Sequence, residues 1–191
     1  MKLEMIESNK NSIKFKLSGI SFNFANSLRR IAINSVDTFA IDSVTLYENS
    51  GAMFDEYLAH RIGLVPIHTP LSGYTKNDQI VFSMNASGPT VVYSKDLRSS
   101  DKEVRVANEN IPIMKLREGQ SIRLDGKAVM NNATRSAKFQ PALVTYKALS
   151  DTDFEFYIES FGQLPPQEVL RKALSIITDD IKEVYKEVKK Y

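Results

Sequence analysis

The sequence contains no cysteine, and only two of its 191 residues are histidine. Without cysteine the chain cannot form a disulfide, a thiolate zinc site or an iron–sulfur cluster, and it cannot use a cysteine nucleophile. The two histidines, His60 and His68, lie eight residues apart and do not form the His-Glu-x-x-His pattern of zinc proteases. We therefore expect neither a metal ion nor a cofactor.

An excess of one charge and a long apolar run are also missing. The chain has 25 basic and 23 acidic residues, and this net charge of +2 gives too weak a field to attract nucleic acid phosphates wholesale. No stretch approaches the roughly 20 apolar residues that cross a bilayer, and the N-terminus does not resemble a signal peptide. We expect a cytoplasmic protein, with a hydrophobic content of 42% that suffices for one domain or two small ones.

Phosphate-binding loops of the Walker or dinucleotide type are absent as well, because the eight glycines are scattered. One acid–base cluster remains: Asp55, Glu56 and His60, of which Glu56 and His60 lie four residues apart on a predicted helix. Exposed pairs at this spacing are common on helices, and catalysis would need a concave pocket around them. A small enzyme is therefore the weakest functional hypothesis.

The N-terminal segment has the periodicity of strands. Ile13, Phe15 and Leu17 alternate with polar residues, which predicts a half-buried strand. Leu3 and Met5 predict a preceding strand in the same hairpin. The four turn residues at 8–11 leave the register of this hairpin open.

A helix with two different faces is predicted next, with Asn23 as a candidate N-cap. One face is mainly apolar and is expected to meet the core: Phe24, Leu28, Ile31, Ala32 and Ser35. The opposite face is basic and partly apolar: Asn26, Arg29, Arg30 and Ile33. Two faces suggest two contacts, although an arginine pair by itself is more often a solvated surface.

The middle of the chain is rich in short β segments. A strand is predicted at 38–48 and a short helix at 53–64, which Asp55 is placed to cap and which Gly63 and Pro66 are placed to end. Five short β segments follow between turn residues, at 80–84, 91–93, 104–106, 122–124 and 143–145. Residues 49–147 are predicted to form a β-rich subdomain.

The C-terminal segment carries the strongest signal in the sequence. Residues 154–158 alternate as a strand that is a plausible sheet partner for the N-terminal strands. After Pro165 and Pro166, a long amphipathic helix is predicted from apolar residues that step by three and four: Leu170, Ala173, Leu174, Ile177, Ile181, Val184 and Val188. Periodicity leaves two interpretations open, since the stripe either covers its own sheet entirely or extends to a partner.

Six short motifs in collinear order resemble one family. They are NSLRRI at 26–31, AID at 40–42, DEYLAHRIGLVP at 55–66, PIMKLREGQ at 112–120, AKFQPA at 137–142 and IESFG at 158–162. Together they are similar to the D-type subunit family of archaeal RNA polymerases, which is related to the eukaryotic third-largest subunit and to the bacterial alpha N-terminal domain.

The resemblance implies a fold, a function and partners. The implied fold is α+β: a discontinuous dimerisation domain at 1–48 and 148–191, in which two helices, the last one long, pack on an antiparallel sheet, and a β-rich insert at 49–147. The implied function is non-catalytic assembly of DNA-directed RNA polymerase. A smaller, L-like chain is the implied heterodimer partner, and the pair would hold the large subunits and other small platform subunits.

The resemblance also implies roles for individual residues. The dimer interface would fall on the two helices: Phe24, Leu28, Ile31, Leu170, Leu174, Ile177, Ile181 and Val184. Docking of a large subunit would fall on the second face of the first helix, at Asn26, Arg29, Arg30 and Ile33. A further partner surface in the insert would include Asp55, Glu56, His60 and Arg61.

One departure from the family pattern bears on cofactors. Many members carry a cysteine-rich insertion with an iron–sulfur cluster before the last strand, whereas residues 146–153 of this chain read YKALSDTD. The alternative from a different functional class is a free-standing nucleic-acid-binding protein, suggested by Arg29, Arg30 and the lysine-rich C-terminus. The near-neutral charge argues against it.

Overall fold

The computed structural model describes residues 1–190, which form two compact units. The first, called the terminal unit below, combines Met1–Val36, Asn132–Thr134 and the chain from Gln140 onward. The second, called the insert unit, combines Asp37–Asn131 and Arg135–Phe139. Helices and antiparallel sheets are both present, so the predicted α+β class is confirmed.

The terminal unit is built on an antiparallel sheet with the strand order β1, β2, β10, β9. The strands are β1 (Lys2–Ser8), β2 (Ser12–Ser18), β9 (Ala142–Ala148) and β10 (Asp153–Ser160). Phe15 of β2 lies opposite Phe156 of β10, and their rings stack with centroids 5.2 Å apart. The alternating apolar residues of both strands share one face of the sheet. The predicted pairing of N-terminal and C-terminal strands is thus confirmed.

Two helices cover that face, α1 (Phe22–Asn34) and α3 (Pro166–Val188). The Ser21 hydroxyl accepts a hydrogen bond from the backbone N–H of Phe24 at 3.2 Å. The N-cap of α1 is therefore Ser21 rather than the predicted Asn23, which lies inside the first helical turn. Each helix contributes small and large apolar side chains to the core, namely Ala25, Leu28 and Ala32 from α1 and Val169, Leu170 and Ala173 from α3.

The insert unit has its own sheets and its own core. Its main sheet has the order β3 (Thr38–Asn49), β8 (Ser121–Asn131), β4 (Gln79–Ser87), β6 (Arg98–Ser99), and β5 (Thr90–Tyr93) pairs separately with β7 (Pro112–Leu116). The helix α2 (Asp55–Gly63) buries Leu58 and Ile62 against this core. Arg135 and Lys138 return to β3 through salt bridges to Asp42 of 2.6 and 3.2 Å.

Several details differ from the sequence-based expectations. The predicted β segment at 104–106 is not a strand, since Val106 forms a single isolated bridge with Ile67. The α2 helix begins at Asp55 with Phe54 as N-cap, so Asp55 lies in the first turn instead of capping it. The boundaries between the two units also differ from the predicted ones, which were after residue 48 and before residue 148. β3 pairs with β8 and lies in the insert unit, while β9 pairs with β10 and lies in the terminal unit.

Candidate protein-interaction surfaces

The long helix α3 is covered by its own unit along its first half. The exposed fraction of its apolar side chains rises along the helix, from 8% for Leu170 to 36% for Leu174 and then to 63% for Ile181 and 64% for Val184. The 23 residues of α3 span about 35 Å, and every residue from Thr178 to the helix end at Val188 is exposed. The stripe therefore does not cover its own sheet along its whole length, and its distal half is exposed in this chain.

A second bare apolar area lies beside β1. Leu3 and Met5 pair with Leu17 and Phe15, so they lie on the helix-facing side of the sheet. Both are nevertheless exposed, because α1 packs over β9 and α3 packs over β10 and β2. An apolar cavity of ≈ 270 Å³ opens here, lined by Met1, Leu3, Phe15, Leu17, Phe24, Leu28, Leu170 and Leu174.

Four of the eight residues predicted for the dimer interface line the cavity beside β1. These four are Phe24, Leu28, Leu170 and Leu174. Leu28 and Leu170 are buried in the unit's own core, whereas Ile181 and Val184 are exposed on the distal half of α3. Ile31 and Ile177 are partly buried and pack against the core. The cavity beside β1 and the exposed distal half of α3 together are called the bare side of the unit. This surface adjoins residues of the unit's own core.

Sequence reasoning does not include β1 in this surface. Leu3 and Met5 are predicted strand residues, but their pattern carries no information about which sheet positions the helices leave open. Tyr185 and Val188 are also absent from the predicted interface, and both are exposed on the distal half of α3. Val188 continues the stripe by four residues from Val184, so its spacing alone is a usable signal.

The second face of α1 carries the arginine pair. Arg29 is partly buried and its guanidinium donates to the Asn26 side-chain oxygen at 3.0 Å, while Arg30 is exposed. Neither arginine forms a salt bridge within residues 1–190. Ile33, predicted for the same docking face, packs against the core of the terminal unit. This face of α1 thus carries two guanidinium groups, which are side chains able to bind carboxylates in pairs of hydrogen bonds.

The four residues predicted for a partner surface on the insert have unequal roles. Asp55, Glu56 and His60 are exposed on α2, and Asp55 also accepts a hydrogen bond from Asn49 at 2.7 Å. Arg61 is engaged within the unit, because its Nε and Nη2 donate to the backbone carbonyls of Ile113 at 3.0 Å and of Pro112 at 2.8 Å. Arg61 therefore attaches α2 to β7.

The same helix borders an apolar hollow that the sequence pattern does not reveal. A cavity of ≈ 370 Å³ is lined by Ala52, Met53, Phe54, Tyr57, Met114 and Lys115. The rings of Phe54 and Tyr57 are largely exposed at its rim. Phe54 is the N-cap of α2 and Tyr57 lies in its first turn. This hollow is a second candidate contact area in the insert unit.

Metal clusters and membrane-spanning helices are not found in the described residues. Within the part of the chain that the structure describes, no group of three or more His, Asp or Glu side chains is arranged to hold a metal ion. Among residues 1–190, none of the helices has the length and apolar character of a membrane span.

Comparison with known proteins gives a consistent match across both units. A family model for the RNA polymerase Rpb3/Rpb11 dimerisation domain matches residues 14–181. DNA-directed RNA polymerase subunit Rpo3 of Methanocaldococcus jannaschii is 45% identical over 156 residues, covering 81% of this chain and 79% of that protein. Rpo3 of Pyrococcus furiosus is 40% identical, with coverage of 77% and 59%, and Rpo3 of Thermococcus kodakarensis is 42% identical, with coverage of 78% and 60%. The chain thus matches about three-fifths of the length of the latter two relatives.

Proposed function

Since the chain belongs to the RNA polymerase Rpb3/Rpb11 dimerisation domain family, we propose that it is a non-catalytic assembly subunit of an archaeal-type DNA-directed RNA polymerase. The catalytic residues of this nucleotidyltransferase would lie on other subunits. The chain would work in the cytoplasm, without a cofactor of its own, and would meet DNA indirectly through the assembled enzyme.

The proposed first partner is a smaller, L-like chain of the Rpb11 type, which forms a heterodimer with the terminal unit. The observation that carries this proposal is the bare apolar side of that unit, made by the distal half of α3 and the cavity beside β1. Covering the rest of an exposed Ile or Val side chain is worth about 1–2 kcal/mol each. Several such side chains together contribute several kcal/mol towards an interface, and the remainder has to come from the other contacts that the partner makes.

The heterodimer would then form a platform for the large polymerase subunits and the other small platform subunits. Arg29 and Arg30 are the proposed docking residues for a large subunit, together with Asn26, which holds the Arg29 guanidinium in place. In the insert unit, the exposed side of α2 at Asp55, Glu56 and His60, extended by Phe54 and Tyr57, is the proposed second contact. A free-standing role in binding nucleic acid has less support, because the basic and acidic residues of the chain nearly balance.

The test is affinity purification of the tagged chain from its own cells, with the co-purifying proteins identified by mass. The wild-type chain is expected to bring down the small subunit and the large polymerase subunits. Val184→Asp combined with Val188→Asp, at two side chains that are exposed in this chain, should remove the small subunit, since carboxylates buried in the interface would lack partners.

The matched control places two carboxylates on the other side of the same helix. Lys182→Asp with Lys186→Asp has the same four-residue spacing and lies away from the apolar stripe, so it should retain the small subunit. Recovery of the small subunit by the Val184/Val188 variant at the wild-type level would refute the proposed interface. A wild-type chain that recovers no polymerase subunit would refute the function itself.

A further inference from the structure

We infer, on the basis of the assembly role proposed above, that the distal half of α3 docks a partner helix whose flank carries Lys or Arg side chains. The stripe on α3 advances by alternating steps of four and three residues through Leu170, Leu174, Ile177, Ile181, Val184 and Val188. This is a period of 3.5 residues, which keeps a stripe facing one neighbouring helix in a left-handed crossing. This stripe, called the seam below, is therefore suited to packing against a helix rather than against a flat sheet.

The charge beside the seam identifies the kind of helix that fits. On the side of α3 that faces the sheet, the first half carries Val169, Ala173 and Ile176, which pack into the core. Further steps of three and four along the same side reach Asp180, Glu183 and Glu187, all exposed. This side of α3 therefore changes from apolar in its first half to acidic in its distal half. Asp180, Glu183 and Glu187 together are called the acidic flank of the seam.

The acidic flank is available to a partner. Asp180 forms no salt bridge or side-chain hydrogen bond within residues 1–190, whereas the neighbouring Asp179 bonds to Ser175 and Lys182 on the outer side of the helix. Glu187 pairs with the exposed Lys190 just after the end of the helix, in an ion pair of 2.6 Å that a partner's cation can join. Positions beside a helical seam commonly determine partner choice through such pairs.

The flank argues against a second copy of this chain as the occupant. Two copies packed antiparallel along the seam would bring their acidic flanks together, and like charges across an interface are repelled. A different helix with Lys or Arg at the facing positions would be attracted instead. The flank thus favours a basic partner helix and disfavours antiparallel self-pairing, which is a combination that specific helix pairs use.

Asp179 and Asp180 supply a matched pair of variants, because adjacent helical residues point about 100° apart. The experiment measures the dissociation constant of the heterodimer between this chain and the Rpb11-type subunit of its organism, at low and high salt. Asp180→Lys should weaken the complex roughly three- to tenfold at low salt, since an attraction becomes a repulsion. Asp179→Lys should change it less than about twofold, and the difference between the variants should shrink at high salt.

Asp180→Asn provides a milder change and should give an intermediate loss. Equal dissociation constants for the Asp179→Lys and Asp180→Lys variants would overturn the inference while leaving the heterodimer intact. A wild-type chain that forms no complex with the small subunit would overturn both this inference and the proposed function. Formation of a homodimer through α3 by the wild-type chain alone would contradict the charge argument directly.

Discussion

Arg29 and Arg30 are adjacent in sequence but lie in different environments. Arg29 is partly buried and fixed by Asn26, while Arg30 extends from the exposed side of α1. A guanidinium held in a defined orientation loses less side-chain entropy when it binds a carboxylate than a free one does. We therefore assign Arg29 the larger share of the proposed docking energy.

Replacing both arginines with alanine should weaken recruitment of the large subunits while the heterodimer with the small subunit remains intact. The measurement is a pull-down of purified large subunits by the preassembled heterodimer. Lys10→Ala with Lys147→Ala is the control, because it removes two exposed positive charges elsewhere in the terminal unit. Undiminished pull-down by the arginine variant would show that the pair does not dock a large subunit.

Arg61 and His60 are neighbours that allow stability to be separated from binding. Arg61→Ala removes two charge-assisted hydrogen bonds to β7 and should lower the free energy of unfolding by about 1–2 kcal/mol. His60→Ala removes an exposed side chain and should change it by less than about 0.5 kcal/mol. Urea unfolding of both variants checks this, and equal stabilities would mean that Arg61 does not hold α2 in place.

At the scale of elements, β2 and β10 are joined by ion pairs on the outer face of the sheet. Lys16 lies 3.2 Å from Asp153, and this partner, with the Ser18 side chain, holds the pKa of the Asp153 carboxyl below its ordinary value. A carboxyl with a lowered pKa in the folded state binds a proton more readily when the chain unfolds. Its contribution to stability is therefore complete above the unfolded pKa of about 3.9 and is lost as the pH falls through the lower folded pKa.

The difference in unfolding free energy between the wild type and Asp153→Asn should follow this dependence. It should be present at neutral pH and should diminish below about pH 4, where the wild-type carboxyl becomes protonated as well. Thermal unfolding across this pH range measures it, with Asp151→Asn in the exposed turn before β10 as the control. A difference that stayed constant down to about pH 2 would contradict the proposed linkage.

The sequence predicted those elements whose signal is local. α3, the strand at β10 and the helix α1 have clear periodicity, and all three are present. What was not predicted depends on distant pairing: β9 joins β10 in the terminal unit, and β3 joins β8 in the insert unit, which moves both boundaries. Periodicity identifies the apolar stripe of α3, but it does not show where the rest of the unit stops covering the stripe, which happens after Ile177.

The candidate surfaces show the same division between local and distant information. Arg29 and Arg30 lie on a face away from the stripe of α1, as their spacing indicated, whereas Ile33 was assigned to that face and packs against the core. The role of Arg61 depends on β7, which lies about 50 residues away in sequence, at Pro112 and Ile113. No pattern within α2 indicates that contact.

The whole molecule combines two units, each with its own core, and the terminal unit has an apolar side that its own helices do not cover. Exposed apolar surface of this extent promotes association. A protein that exists only in complexes is expected to have this property, because its interface is completed by another chain. The central claim is therefore that the bare side of the terminal unit is an interface.

Size-exclusion chromatography with light scattering tests this claim most directly, applied to the chain expressed alone and co-expressed with the small Rpb11-type subunit. We expect a stable one-to-one heterodimer on co-expression, and poor solubility or non-specific aggregation without a defined homodimer for the chain alone, since Ile181, Val184 and Val188 would otherwise remain in water. A soluble, strictly monomeric chain that elutes separately from the small subunit would contradict the account.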